Sequence, residues 1–337
     1  MSCLYEINRW WRSHVNLWTL YLLFLGQMVS FVLAMGSITS SLVASLGVDA
    51  PLTQSSFNYL ALALIYGSIL LYRRQKLQVS WYWYLLLGVV DVQGNYLVNK
   101  AYQFSSITSV TLLDCWTVAW VIALTWFFLG TRYTLWQLIG AAICVLGLGL
   151  VLLSDAGVGG GGGSKPILGD FLVIAGTIFF ALSNVGEEFC VKKKGRVEVV
   201  TMLGVYGFLV SAVELSIVEL KSLEAIAWSK DILLAIAGYT VSMFLFYSLA
   251  PFVLKLSGAT MFNLSILTSD MWAVVFRVFF YHQQVDWLYF LSFAIVAIGL
   301  IIYSITEEGE RGSPPAPPDG DSNAEYQVLH ENAEVGL

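Results

Sequence analysis

Apolar runs of about 20 residues, separated by short polar breaks, recur along this chain from Leu17 to about Ile305, and no other feature constrains its fold as tightly. A helix rising 1.5 Å per residue needs about 20 apolar residues to cross the ~30 Å hydrocarbon core of a bilayer, and within lipid each backbone N–H and C=O must be satisfied inside the segment. The runs predict ten helices, at roughly 17–37, 51–72, 82–104, 107–129, 134–154, 169–190, 199–219, 231–251, 258–281 and 286–305. Charged residues make up only 12% of the 337, against about 25% in soluble domains, which points to an integral, multi-pass, all-α membrane protein. The first run, about Leu17 to Gly36, is longer than a signal-peptide core and reads as a retained helix.

Charge sets the expected orientation. With a cytosolic N-terminus, the inner segments hold Arg9, Arg12, Arg73, Arg74, Lys76, Arg132, Lys192, Lys193, Lys194, Arg196, Lys255 and Arg311, and the outer loops hold Lys165, Lys221 and Lys230. Twelve against three is a positive-inside bias that places both termini in the cytosol. A shift of 152 residues lays Thr108–Thr111 on Thr260–Asn263, Ala142-Ile143 on Ala294-Ile295 and Gly147-Leu148 on Gly299-Leu300, and a shift of 150 lays Gly26 on Gly176. The matches divide the chain into five helices plus five. An odd number of spans per repeat inverts the second copy, an architecture of transporters. The expected domains are a cytosolic N-terminus (1–16), a first repeat (17–154), a Gly-rich linker (155–168), a second repeat (169–305) and a disordered cytosolic tail (306–337).

The linker's glycine run lacks the Lys-Ser or Lys-Thr that a phosphate loop needs, since Ser164-Lys165-Pro166 follows it. The tail is acidic and Pro-rich, and its Tyr326-Gln-Val-Leu329 fits a tyrosine-based signal read by a sorting adaptor. Cys3, Cys115, Cys144 and Cys190 show no paired spacing, and His14, His282 and His330 are scattered, so neither a metal nor a cofactor is expected. No basic patch suggests nucleic acid; the expected partners are a small solute and lipid.

The polar residues that lie within apolar runs are the candidates for function. In Gly88–Trp116, Asp91, Asn95, Asn99 and Tyr102 fall within roughly 80° of one another on a helix, while Lys100 falls opposite, near the helix end. A carboxylate at the bilayer centre costs about 2.5–3.5 kcal/mol on insertion scales and usually serves a pathway or a partner. The stripe reads either as a hydrogen-bonded seam between helices or as the lining of a solute cavity. Asp114 follows in the next helix, with Trp116 and Trp120; these two and Tyr247 lie deep enough to stack on a planar ring. The sixth run carries Asn184, Glu187 and Glu188, and the ninth Asn263 and Asp270; Glu214, Gln27 and Ser30 are lesser candidates. Asp114, Glu187 and Glu188 are candidates to take a proton.

DVQGNYLVNKAYQFSSITSVTLLDC, then SNVGEEF and VKK from Ser183 to Lys193, then NLSILTSD from Asn263 to Asp270, resemble solute carrier family 35 subfamily F, of the drug/metabolite transporter superfamily. The resemblance spans about Gly26 to Ser304 and implies ten transmembrane helices in two inverted five-helix repeats. It implies a nucleobase- or nucleoside-like solute such as queuine or queuosine, with a nucleotide sugar of the secretory pathway as the alternative, in the plasma membrane or the Golgi and endomembranes. Gln93 stands where many members carry an acid, and Gly94 replaces an Ala. A non-transporting sensor or scaffold is a further alternative. Glu187-Glu188-x-x-x-Lys192 is similar to the Glu-Glu-x-x-x-Arg motif of CAAX-type proteases, yet Lys replaces Arg and His282 lies towards the opposite face, so an enzyme is not expected.

Overall fold

The computed structural model describes residues 17–74, 80–101, 104, 113–159, 166–193, 195–226, 228–269, 271–272, 275–276 and 287–311. The described elements are all helices: α1 (Leu17–Ser45), α2 (Pro51–Tyr72), α3 (Trp81–Ala101), α4 (Trp116–Leu124), α5 (Leu135–Gly159), α6 (Pro166–Lys193), α7 (Arg196–Val218), α8 (Leu220–Ala225), α9 (Lys230–Ile266) and α10 (Trp287–Arg311). α4 runs on as a π-helical turn, Thr125–Leu129, closed by Gly130 in the left-handed region at φ 68°. Among the described residues, five helical stretches are long and apolar enough to cross a membrane: Leu20–Ser40, Pro51–Tyr72, Ile167–Lys193, Arg196–Val218 and Lys230–Ile266. α3 has the length, 21 residues, but Asp91, Gln93, Asn95, Asn99 and Lys100 dilute its apolar character.

Four pairings dominate the bundle: α5 with α10, α1 with α9, α2 with α7, and α3 with α6. Lipid tails are as apolar as leucine, so helices associate in a membrane through close packing, and small residues permit it. Each pairing has glycines at its contact. A Cβ added at Gly204 would come within 2.6 Å of Ala63 N, and one at Gly207 within 2.7 Å of the Tyr59 ring. Gly94 faces Phe180 and Gly176 faces Val98; Gly26 faces Ser265 and Gly36 faces Met243. Between α5 and α10, Gly147 faces Val296 while Gly299 faces Cys144.

The helices depart from the expected spans at several places, α1 among them, which runs on to Ser45. α5 continues to Gly159 and α10 to Arg311, because a helix persists across polar residues that are not themselves breakers. Where two separate helices were expected, 231–251 and 258–281, α9 passes Pro251 and kinks where Gly258 adopts φ 83°, ψ 170°. Only glycine takes that conformation readily. The Tyr102, Asp270, Gly160–Lys165 and tail expectations, the sorting motif included, lie outside the described residues.

Candidate functional site

Asp91 lies in the middle of α3 with 5% of its surface exposed. Three hydroxyls from three other helices donate to it. Tyr59 of α2 reaches Oδ2 at 2.5 Å, Tyr247 of α9 reaches the same oxygen at 2.7 Å, and Ser183 of α6 reaches Oδ1 at 2.8 Å. Asn95, one turn further along α3, donates through Nδ2 to the Tyr247 hydroxyl at 3.1 Å, the Tyr59 hydroxyl at 3.3 Å and the Asp91 carbonyl at 2.9 Å. The two tyrosine rings lie 5.8 Å apart between centroids. An ionised carboxylate can only accept, so three converging O–H donors satisfy it without a counter-ion.

Asp91 is tied into a seam between helices, whereas Asn95 and Asn99 keep partial exposure. Lys100, on the far side, pairs with Asp49 at 3.2 Å near the helix end. Gln93, in the position without an acid, donates to Glu214 of α7, so an acid from another helix stands beside it.

A second group surrounds the Gly258 kink. Glu188 Oε2 accepts from the backbone N–H of Ala259 at 2.7 Å, and Oε1 accepts from Lys192. The break leaves the first N–H groups of Ala259–Ile266 without partners in the helix, and the carboxylate caps one of them. A Cβ at position 258 would stand 3.1 Å from Glu188 Oε1. Asn184 donates to Asn263 Oδ1 at 2.9 Å, and Asn263 donates to the Ala259 carbonyl at 2.7 Å. Tyr133, between α4 and α5, bonds Thr260 at 2.6 Å and Thr125 at 2.5 Å. Glu187 is 3% exposed and its Oε1 has no hydrogen-bond partner.

The structure thus brings Asp91 and Asn95 into one cluster and Asn184, Asn263 and Glu188 into another, and it keeps Trp116 apart from both. Trp116 is 55% exposed and is not enclosed as a stacking residue; Trp120, one turn on, is part-buried against the core. Asp114 is partly exposed and takes a bond of 3.4 Å from Thr117. Gln27 and Ser30 meet Thr268, at 3.1 and 2.7 Å, and Gln27 also accepts from Trp272 at 3.2 Å.

Two Asp91 partners escaped the sequence reading. The signal for Tyr59 was the polar first half of α2, Thr53-Gln54-Ser55-Ser56 with Asn58, an unusual density for a span; all five are buried. Ser183 carried no signal as a site residue beyond standing four residues before Glu187. Tyr247, a candidate to stack on a planar ring, also offers its hydroxyl to Asp91.

Comparison with known proteins agrees with this membrane bundle. The family model for solute carrier family 35, SLC35F, matches residues 15–305. Solute carrier family 35 member F2 of Mus musculus is 38% identical over 313 residues, 89% of this chain and 84% of the mouse protein. The protein of the same name from Xenopus tropicalis is 35% identical over 295 residues, 84% of this chain and 75% of its own. One solved crystal structure superposes with a TM-score of 0.69 at 14% identity, over 85% of this chain and 99% of that one, a likeness of fold alone. The apolar helices, the acid-bearing polar cluster inside them and these relatives make one conclusion: the chain is a multi-pass membrane solute transporter and belongs to solute carrier family 35.

Proposed function

We propose that the protein is a secondary transporter that moves a nucleobase- or nucleoside-like solute, of the queuine or queuosine type, by alternating access. The observation that carries this is Asp91, a carboxylate in mid-span satisfied only by side-chain hydroxyls. A solute N–H can replace any one of those donors with little loss, which makes the site exchangeable. Asn95, Asn184 and Asn263 would supply further donors and acceptors to the solute.

Charge favours a base over a nucleotide sugar. Asp91, Glu187, Glu188, Glu198 and Glu214 stand within the described helices, while Lys100 and Lys192 are already paired with Asp49 and Glu188. A diphosphate would meet these acids with like charge, whereas an N–H-rich heterocycle would donate to them.

Helix pairing supports the inverted five-plus-five layout. When the kinked α9 counts as two spans and α8 as a connector, a shift by five helices returns α5–α10 and α2–α7 onto themselves and exchanges α1–α9 with α6–α3. The 152-residue shift likewise exchanges the Gly147–Val296 contact with the Gly299–Cys144 contact. Asn95 and Tyr247, hydrogen-bonded to each other, are also 152 residues apart. Both termini face the cytosol on this reading, in the plasma membrane or an endomembrane.

Uptake by proteoliposomes from a panel of nucleobases, nucleosides and nucleotide sugars tests the proposal. Saturable uptake of a base or nucleoside, absent from empty liposomes, is the expected result. Uptake restricted to nucleotide sugars would overturn the solute class.

A further inference from the structure

The three acids open to a coupling role differ in what surrounds them. Glu188 has both oxygens engaged, by Lys192 and by the Ala259 N–H. Asp114 is partly exposed and accepts from Thr117. Glu187 is 3% exposed, and its Oε1 has no partner. Buried polar atoms are nearly always bonded, so this exception calls for a reason.

Its placement offers one. Glu187 stands four residues after Ser183, which puts the two on one face of α6, one turn apart. Ser183 is the residue that holds Asp91 Oδ1, which puts Glu187 one helical turn from a contact of Asp91. A carboxylate accepts only, while a carboxyl both donates and accepts. Two carboxylates in electrostatic reach of each other titrate as a pair rather than independently.

The other titratable and charged groups around this end of α6 are engaged elsewhere. Tyr84 of α3 donates to Glu198 of α7 at 2.9 Å. Cys190, on α6, is buried in the apolar core as a neutral thiol-bearing packing residue. Lys192 is held by Glu188, and Lys193 lies 3.8 Å over the Phe189 ring. From the elements packed against α6, Tyr247 of α9 donates to Asp91 and Arg196 of α7 lies 4.6 Å over the Phe252 ring.

We propose that Glu187 is the site that binds a co-transported proton, and that Asp91 of α3, held by Ser183 one turn from Glu187, is the carboxylate the solute engages. The inference rests on the transport reading above and names its coupling group. The step is a simple protonation: a water-borne proton adds to a Glu187 carboxylate oxygen on one side of the membrane, and the same O–H bond breaks to water on the other. No electrons move. Solute donors favour the ionised form of Asp91 and so leave a proton shared by the two acids on Glu187, and a proton on Glu187 lets Asp91 stay ionised to accept those donors, so each ligand favours the other.

Infrared spectra of the full-length protein in lipid, recorded through a pH titration, read the carboxyl directly and need no solute. The C=O stretch of a buried protonated carboxyl should be lost in Glu187→Gln and kept in Glu188→Gln and Asp114→Asn. An undiminished band in Glu187→Gln overturns the assignment. A second arm uses tritiated queuine in proteoliposomes. Glu187→Gln should lose uptake driven by a pH gradient while keeping exchange of labelled for unlabelled queuine, and a melting temperature equal to the wild type's shows that the bundle is intact. Gradient-driven uptake equal to the wild type's would also overturn it. If the wild-type protein moves no queuine, the solute reading fails, and the infrared result still decides the proton site.

Discussion

Asp91 and Glu188 are both buried carboxylates, but different kinds of donor hold them. Asp91 takes its three bonds from hydroxyls on α2, α6 and α9. Glu188 takes one from the backbone N–H of Ala259 and one from Lys192, a turn along its own helix. A hydroxyl rotates about its own bond and can turn to another acceptor without moving a helix. A backbone N–H moves only with the chain that carries it. The first arrangement suits a group that must exchange partners in each cycle, and the second suits a group that holds a broken helix in place.

Asp91→Asn gives the largest expected effect. It keeps the size of the side chain and one carbonyl acceptor while removing the charge. Loss of a charge-assisted hydrogen bond to solute, about 1.5–3 kcal/mol, would lower uptake roughly ten- to a hundred-fold. Stability should change little, because a neutral amide is easier to bury. Uptake and thermal unfolding measured on the same purified variant decide the matter: normal uptake would return Asp91 to the packing seam.

At the kink the effect should fall on stability first. Gly258→Ala places a Cβ in a left-handed backbone 3.1 Å from Glu188 Oε1, a strain of about 1–3 kcal/mol. Glu188→Ala leaves the Ala259 N–H uncapped, at about 1–3 kcal/mol for a buried unsatisfied group. Both variants should melt earlier than the wild type while binding solute with unchanged affinity. A melting temperature equal to the wild type's would show that the cap does not hold the half-helix.

The sequence carried these two regions unequally. The helices were legible because apolar length is a direct demand of the bilayer, and the α3 stripe because four polar residues fall on one face. The partners were not, since Tyr59, Ser183 and Tyr247 stand 32, 92 and 156 residues from Asp91 and no local pattern encodes that convergence. Glu187 and Glu188 look equivalent in sequence. A 100° turn between neighbours sends one towards Asp91 and the other to the kink. The sequence suggested two separate helices, 231–251 and 258–281, but the chain runs on as one and kinks at Gly258, where glycine can take a positive φ and an acid from α6 can cap the new end.

Removing one hydroxyl at a time sharpens the exchange argument. Tyr247→Phe and Tyr59→Phe each leave Asp91 with two donors, for a change of about 1 kcal/mol. Affinity for solute should rise or hold, since one acceptor site on Asp91 is freed, while stability falls slightly. A fall in affinity as large as that of Asp91→Asn would mean that the tyrosine itself contacts the solute.

The smallest effect is expected where a carboxylate has an exposed partner. Asp49 and Lys100 meet at 3.2 Å, with side-chain exposures of 49% and 28%. Such a pair contributes about 0–1 kcal/mol, because water screens it and ordering two side chains opposes it. Exchanging the charges in Asp49→Lys with Lys100→Asp should leave both melting temperature and uptake near wild type, and each single variant should fall slightly below. If the single variants lower uptake strongly and the double variant restores it, with melting temperature unmoved throughout, the pair instead closes this end of the bundle during the cycle. Exposure alone would then be a poor guide to which acids matter, and the contrast between Asp91 and Glu188 would have to rest on donor type and not on burial.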